Sequence, residues 1–118
     1  WVLGASPEVL ASLAPKSVTA PIALGIIDEL GGSVPLLMGG LLITGVMATL
    51  AVSLLAAPLG IRDHRILGFA LGINGHAIGT VRAFEMSPTA GAFASLGMSL
   101  TGIFTALCLP LAWRLLGL

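Results

Sequence analysis

The sequence predicts an all-α integral membrane helical bundle, with two uninterrupted transmembrane helices and two broken ones, either discontinuous or re-entrant. Three observations carry this. Of 118 residues, 57% are hydrophobic and only 8% charged, against about 25% charged in an average soluble domain. The ten charges (Lys16, Arg62, Arg65, Arg82 and Arg114 against Glu8, Asp28, Glu29, Asp63 and Glu85) are too few to coat a water-facing surface. Long charge-free runs separate them. A soluble monomer and a disordered chain are both excluded.

The first segment opens at Ser6-Pro7-Glu8, with serine at N-cap, proline at N1 and an acid beside the positive helix end. The apolar pattern runs Val9–Leu13, breaks at Ala14-Pro15-Lys16-Ser17 and resumes through Val18–Leu30. Pro15 restricts Ala14 and donates no backbone hydrogen bond, which makes the break physical. Next come 32 uncharged residues, Leu30–Ile61. Within them Val34–Gly60 is long enough to cross a hydrocarbon core of about 30 Å. The third segment, Ile66–Phe84, is apolar but interrupted by Asn74-Gly75-His76-Ala77-Ile78-Gly79-Thr80. The last lies in the 28 uncharged residues Met86–Trp113, helical from Ala90 to Trp113, with Pro88 at its entrance and a kink or early stop at Pro110. Each broken segment either crosses once or forms a short re-entrant hairpin.

If all four segments cross, the positive-inside rule places residues 61–65 and Arg114 in the cytoplasm and residues 28–33 and 87–89 outside. Trp113 beside Arg114 suits an interfacial anchor. A repeat offset by 57 residues aligns Thr44-Gly45-Val46-Met47 with Thr101-Gly102-Ile103-Phe104, Asp28 with Glu85, and Gly60 with Gly117. Transporters are often built from such repeats. The chain forms a single transmembrane unit, 1–118; starting at Trp1 without an initiator Met, it reads as part of a longer protein.

Two polar clusters are candidates for chemistry. Lys16, within an apolar segment, costs several kcal/mol unless paired or hydrated. With Ser17, Thr19 and the free amides of the resumed helix it forms an anion receptor; the alternative is that Lys16 snorkels to water. His76, Thr80 and Arg82 offer three donors around a broken backbone, suited to a carboxylate, and His76 is also able to take up a proton. The alternative is that His76 donates to a carbonyl and Arg82 pairs with Glu85 at i,i+3. Gly68-x-x-x-Gly72 and Gly75-x-x-x-Gly79 supply close-packing faces. Ser95, Ser99, Thr101 and Thr105 bond back to their own helix. Cys108 is expected as a buried small hydrophobe and His64 as a loop residue. With zero net charge and no basic run, nucleic acid has no electrostatic handle. No metal-ligand spacing, nucleophile motif or phosphate loop is present, so no cofactor and no enzyme activity is expected.

The run Ser12-Leu13-Ala14-Pro15-Lys16-Ser17-Val18-Thr19-Ala20-Pro21-Ile22-Ala23, followed by Gly75-His76-Ala77-Ile78-Gly79-Thr80-Val81-Arg82-Ala83, resembles the LrgB/CidB family, with Glu85 and Gly91-Ala92-Phe93 continuing the likeness. The resemblance is to the carboxy-terminal half of that family's longer members. It implies an inner-membrane bacterial protein and two roles. One is an antiholin-like subunit modulating murein hydrolase activity and autolysis with a small holin-like LrgA/CidA partner. The other is a secondary carrier of small monocarboxylates: pyruvate, taken up by related proteins, and glycolate and glycerate, moved by a related plastid translocator; proton coupling is expected with it. By position, Lys16, Ser17, Thr19, His76, Thr80 and Arg82 would then line the substrate path. A homo-oligomer is an alternative assembly to the holin-like pairing.

Overall fold

Serine, aspartate and proline set where the helices begin. The computed structural model describes residues 4–117. It contains α1 (Pro7–Leu13), α2 (Ala20–Leu30), α3 (Val34–Ala56), α4 (His64–Met86) and α5 (Pro88–Leu115), and no strand among the described residues. Ser6 caps α1, its Oγ accepting from the Val9 amide at 3.3 Å, with Pro7 as first helical residue. Asp63 caps α4 through the Arg65 amide at 2.8 Å. The Arg65 guanidinium and amide hydrogen bonds hold the Asp63 carboxyl below the usual carboxylate range. Ser87 caps α5 by accepting from the Ala90 amide at 3.1 Å.

Both α3 and α5 are long and apolar enough to cross a membrane; at 1.5 Å per residue they measure about 34 and 42 Å. α3 ends at Ala56, short of the expected Gly60, because Pro58 supplies no amide and the chain turns out through Gly60 at φ 69°. α5 passes through Pro110 to Leu115, so no early stop occurs there.

α4 doubles back on itself. A straight helix of its length would hold its ends about 34 Å apart, yet His64 Nδ1 lies 2.7 Å from Ser87 Oγ. The reversal falls at His76, whose φ of 39° and ψ of −124° are non-helical. Beyond it a second arm (77–86) returns along the first (64–75), and Gly79 lies against the Leu71 carbonyl, a place no Cβ would fit. His64 is thus the first helical residue and ties the hairpin's foot, rather than lying in a loop.

α1 and α2 form a shorter hairpin. Residues 14–18 turn, and α2 returns, so that Pro7 and Glu8 at one foot and Glu29–Gly31 at the other line a single pocket with Trp113 and Arg114. Ser12, fully buried, stitches the foot: its Oγ accepts from the Ser33 amide at 2.7 Å and donates to the Glu8 carbonyl at 2.6 Å.

The two halves are therefore one motif, a hairpin followed by a long helix, used twice in opposite directions. The first hairpin opens beside the start of α3 and the end of α5, where Arg114 pairs with Glu29. The second opens beside the end of α3, where Ile66 and Leu67 meet Leu55 and Ala56. Two pairs of residues 57 apart have matching geometry. Gly60 and Gly117 both leave their helices at φ 69°. A Cβ on Gly40 would sit 3.7 Å from Lys16 Cβ, and one on Gly97 3.2 Å from Ile73 Cγ1, Lys16 and Ile73 being themselves one repeat apart.

This geometry corrects the alternating sidedness expected from four crossings. Residues 61–65 share an end with 87–89, and Arg114 shares the other with 28–33. A hairpin returns to the side it left, which a count of apolar segments does not reveal. Arg62, Arg65 and Arg82 therefore gather at one end with Asp63 and Glu85, and Glu8, Asp28 and Glu29 at the other with Arg114.

Each repeat has its own small core, Val18, Ala23, Ile27, Leu37 and Leu41 in the first and Leu71, Ala83, Ala90 and Ala94 in the second. The large apolar side chains of the long helices face outward instead, among them Ile43, Met47 and Leu54 on α3 and Phe104, Leu107 and Leu111 on α5. Cys108 belongs to that outer surface and is exposed, not buried. Gly68 and Gly72 meet the backbone of Ala90 and Ala94, which brings the first arm of α4 directly onto α5.

Candidate functional site

The two hairpin tips meet at a cleft of about 180 Å³. Thr19 and Ala20 come from the first tip, His76, Ala77 and Ile78 from the second, and Met38, Leu41 and Leu42 from α3 behind them. The His76 ring rests over Gly45, the midpoint of α3, so the cleft lies near half the depth of the long helices.

Local backbone explains the polarity of this spot. α2 begins here and the returning arm of α4 begins here, so two helix N-termini converge on one cleft. Amides of a first turn lack intrahelical acceptors, and each terminus carries about half a positive charge. Pro21 removes one donor from α2. Thr19 occupies the N-cap of α2, but its side chain makes no capping hydrogen bond, which leaves the hydroxyl for another partner. His76 is only 5% exposed, and among the described residues its buried Nε2 has no hydrogen-bond partner. Buried polar atoms are almost always satisfied, so this one stands out. Its positive φ adds local strain of a kind that persists only when surrounding structure enforces it.

The six polar residues singled out from sequence do not all assemble. Thr19 and His76 share the cleft. Lys16 is exposed on the turn beside it, against α3 at Gly40, and among the described residues it forms no ion pair. Ser17 is half-buried in the same turn. Thr80 is buried behind the tip, its Oγ1 donating to the His76 carbonyl at 2.8 Å and lying 3.7 Å from Met98 Sδ on α5. Arg82 stands at the hairpin's foot, paired with Glu85 at 3.0 Å and half exposed. It lines a different pocket, with Ser53 and Met86.

Sequence reasoning missed the apolar wall of Met38, Leu41, Leu42 and Ile78, and the part played by Gly45. Only the Thr44-Gly45 and Thr101-Gly102 match marked that stretch of α3 as special. Among the described residues no three His, Cys, Asp or Glu side chains gather as a metal site would require. Two positive helix ends, a hydroxyl and an imidazole against an apolar wall can hold a small anion with a short carbon tail.

Comparison with known proteins places this chain in a group. The LrgB-like family matches residues 1–115. A Haemophilus influenzae protein described only as uncharacterized is 33% identical over 115 residues, covering 98% of this chain and 50% of that one. "Holin-like protein CidB" of Staphylococcus epidermidis is 30% identical over 109 residues, 92% of this chain and 48% of its own. The Staphylococcus aureus protein of the same name is 32% identical over 107 residues, 91% and 47%. The chain thus spans about half the length of the curated relatives it matches. No solved structure matches.

Proposed function

The chain belongs to the LrgB-like family and is a membrane protein of the LrgB/CidB type; from that premise we propose that it forms the substrate-binding half of a secondary carrier for small monocarboxylates. The observation that carries this is the meeting of two half-helix N-termini at one cleft beside a buried His76 whose Nε2 has no partner among the described residues. Each hairpin is read as re-entrant. Arms of roughly 10–18 Å reach the middle of a core about 30 Å thick without crossing it. The carboxylate would lie between the α2 and second-arm amides, held by Thr19 and His76, with the carbon tail against Leu41 and Ile78. Lys16, at the tip but outside the cleft, would attract the anion rather than bind it in place. The Arg62, Arg65 and Arg82 end would face the cytoplasm of a bacterial inner membrane, by the excess of arginine there. Proton coupling would fall to His76.

Uptake of radiolabelled pyruvate by the full-length protein in proteoliposomes tests the reading. Lys16→Ala is expected to raise the KM about tenfold, equivalent to about 1.4 kcal/mol of lost attraction, with less effect at high salt. Unchanged KM and rate in both Lys16→Ala and Thr19→Ala would remove the site assignment.

A second reading has support in the printed name of the staphylococcal relatives, holin-like: a structural subunit that regulates a holin-like partner and moves no solute. Gly68 and Gly72 do not separate the two readings, because they pack within this chain. Transport by the purified protein in the absence of any partner does.

A further inference from the structure

We propose that Gly45 is the positioning residue of the cleft: the absence of a side chain at the centre of α3 seats the His76 ring and so sets where the second hairpin stops. The long helices each carry a Gly-x-x-x-Thr-Gly pattern, Gly40 to Gly45 and Gly97 to Gly102. The first glycine of each pattern receives its own repeat's hairpin, Gly40 taking Leu13 and Lys16, and Gly97 taking Phe69 and Ile73. The last glycine receives the hairpin of the other repeat, Gly45 taking His76 and Ile78, and Gly102 taking Ile22. Each tip is thus pinned between two glycines, one on each long helix.

The two cross-repeat seats are not equally tight. A Cβ on Gly45 would fall 2.6 Å from His76 Cε1 and 3.2 Å from Nε2, with Ile78 Cδ1 at 2.8 Å. The ring is planar and, at 5% exposed, enclosed on nearly all sides, so it has less room to turn aside than a free methyl. A Cβ on Gly102 would meet only Ile22 Cδ1, at 2.7 Å, the free end of a side chain that can swing aside. The same Gly→Ala change at two equivalent, mid-helix positions therefore gains the same helix propensity but collides with a ring at one and a flexible methyl at the other. Elsewhere on α3, Gly39 has nothing within 4 Å of its missing Cβ.

The consequence for transport rests on the carrier reading; the seat itself does not. In full-length protein, Gly45→Ala should lower the Tm by several degrees and raise the KM for pyruvate in proteoliposomes about tenfold, with kcat within about twofold. Gly102→Ala should leave the KM at the wild-type value and the Tm at or above it. Introduced into His76→Ala, Gly45→Ala should lose most of its Tm penalty, because the colliding ring is gone. Equal effects of Ala at 45 and 102, or an undiminished Tm penalty in the His76→Ala background, would overturn the assignment. If the wild-type protein takes up no pyruvate, the carrier reading fails, while the Tm cycle still decides whether Gly45 seats His76.

Discussion

The two hairpins reach the same cleft by opposite chemistry. The first turns over several residues with proline on either side, Pro15 and Pro21, and leaves Lys16 exposed. The second reverses at one residue, His76, between Gly75 and Gly79, and buries it. Proline ends a helix by itself, since it lacks the amide and clashes with the preceding turn. The glycines inside α4 end nothing by themselves; they permit another backbone to come close. The proline tip is therefore locally determined and presents a charge. The glycine tip exists only because α3 and α5 enclose it, with Gly75 against Thr49 Oγ1 and Gly72 on the Ala94 backbone. One tip exposes an ammonium and the other encloses an imidazole.

The contrast is broken most directly at the packing that the second hairpin alone depends on. Gly72→Leu forces a side chain into the Ala94 backbone, which has no room to yield, at a cost on the order of 4 kcal/mol or more. Size-exclusion chromatography of the solubilised full-length protein should show loss of the monodisperse species. Gly25→Leu in the first hairpin, where nothing lies within 4 Å, should leave the profile unchanged. Equal tolerance at both sites would erase the distinction between the hairpins.

A finer test separates the ring of His76 from its backbone. His76→Gly and His76→Ala both remove the imidazole, and both should reduce pyruvate uptake strongly. Only glycine accepts the positive φ without strain, so His76→Gly should be more stable than His76→Ala by about 1 kcal/mol, read as a higher Tm. Identical Tm values would mean that the reversal stores no strain. The smallest effect belongs to Arg82. Its exposed pair with Glu85 is of a kind worth about 0–1 kcal/mol, and Arg82→Gln should leave uptake unaltered. A tenfold rise in KM would return Arg82 to the site.

Lys16, His76 and Arg82 also illustrate what a linear reading can and cannot place. All three are polar residues in apolar segments and look alike as letters. Lys16 follows a proline, which made the break beside it visible. His76 and Arg82 lie six residues apart on what reads as one segment, yet one is enclosed at the tip and the other exposed at the foot. Their separation follows from the length of the returning arm. The 57-residue repeat was legible in Thr44-Gly45 and Thr101-Gly102, but its inversion was not, since direction leaves no mark on composition.

The amino-acid sequence by itself determined the apolar surroundings, the helical class and the starts of α1 and α3, because charge density, proline and N-cap side chains act within a turn or two of where they stand. Whether the break around His76 crosses or reverses, the shared cleft and the side on which each arginine emerges were decided only in three dimensions. They depend on backbones touching at Leu71–Gly79, Gly72–Ala94 and Gly45–His76, and a missing side chain acquires its meaning from whatever comes to rest against it.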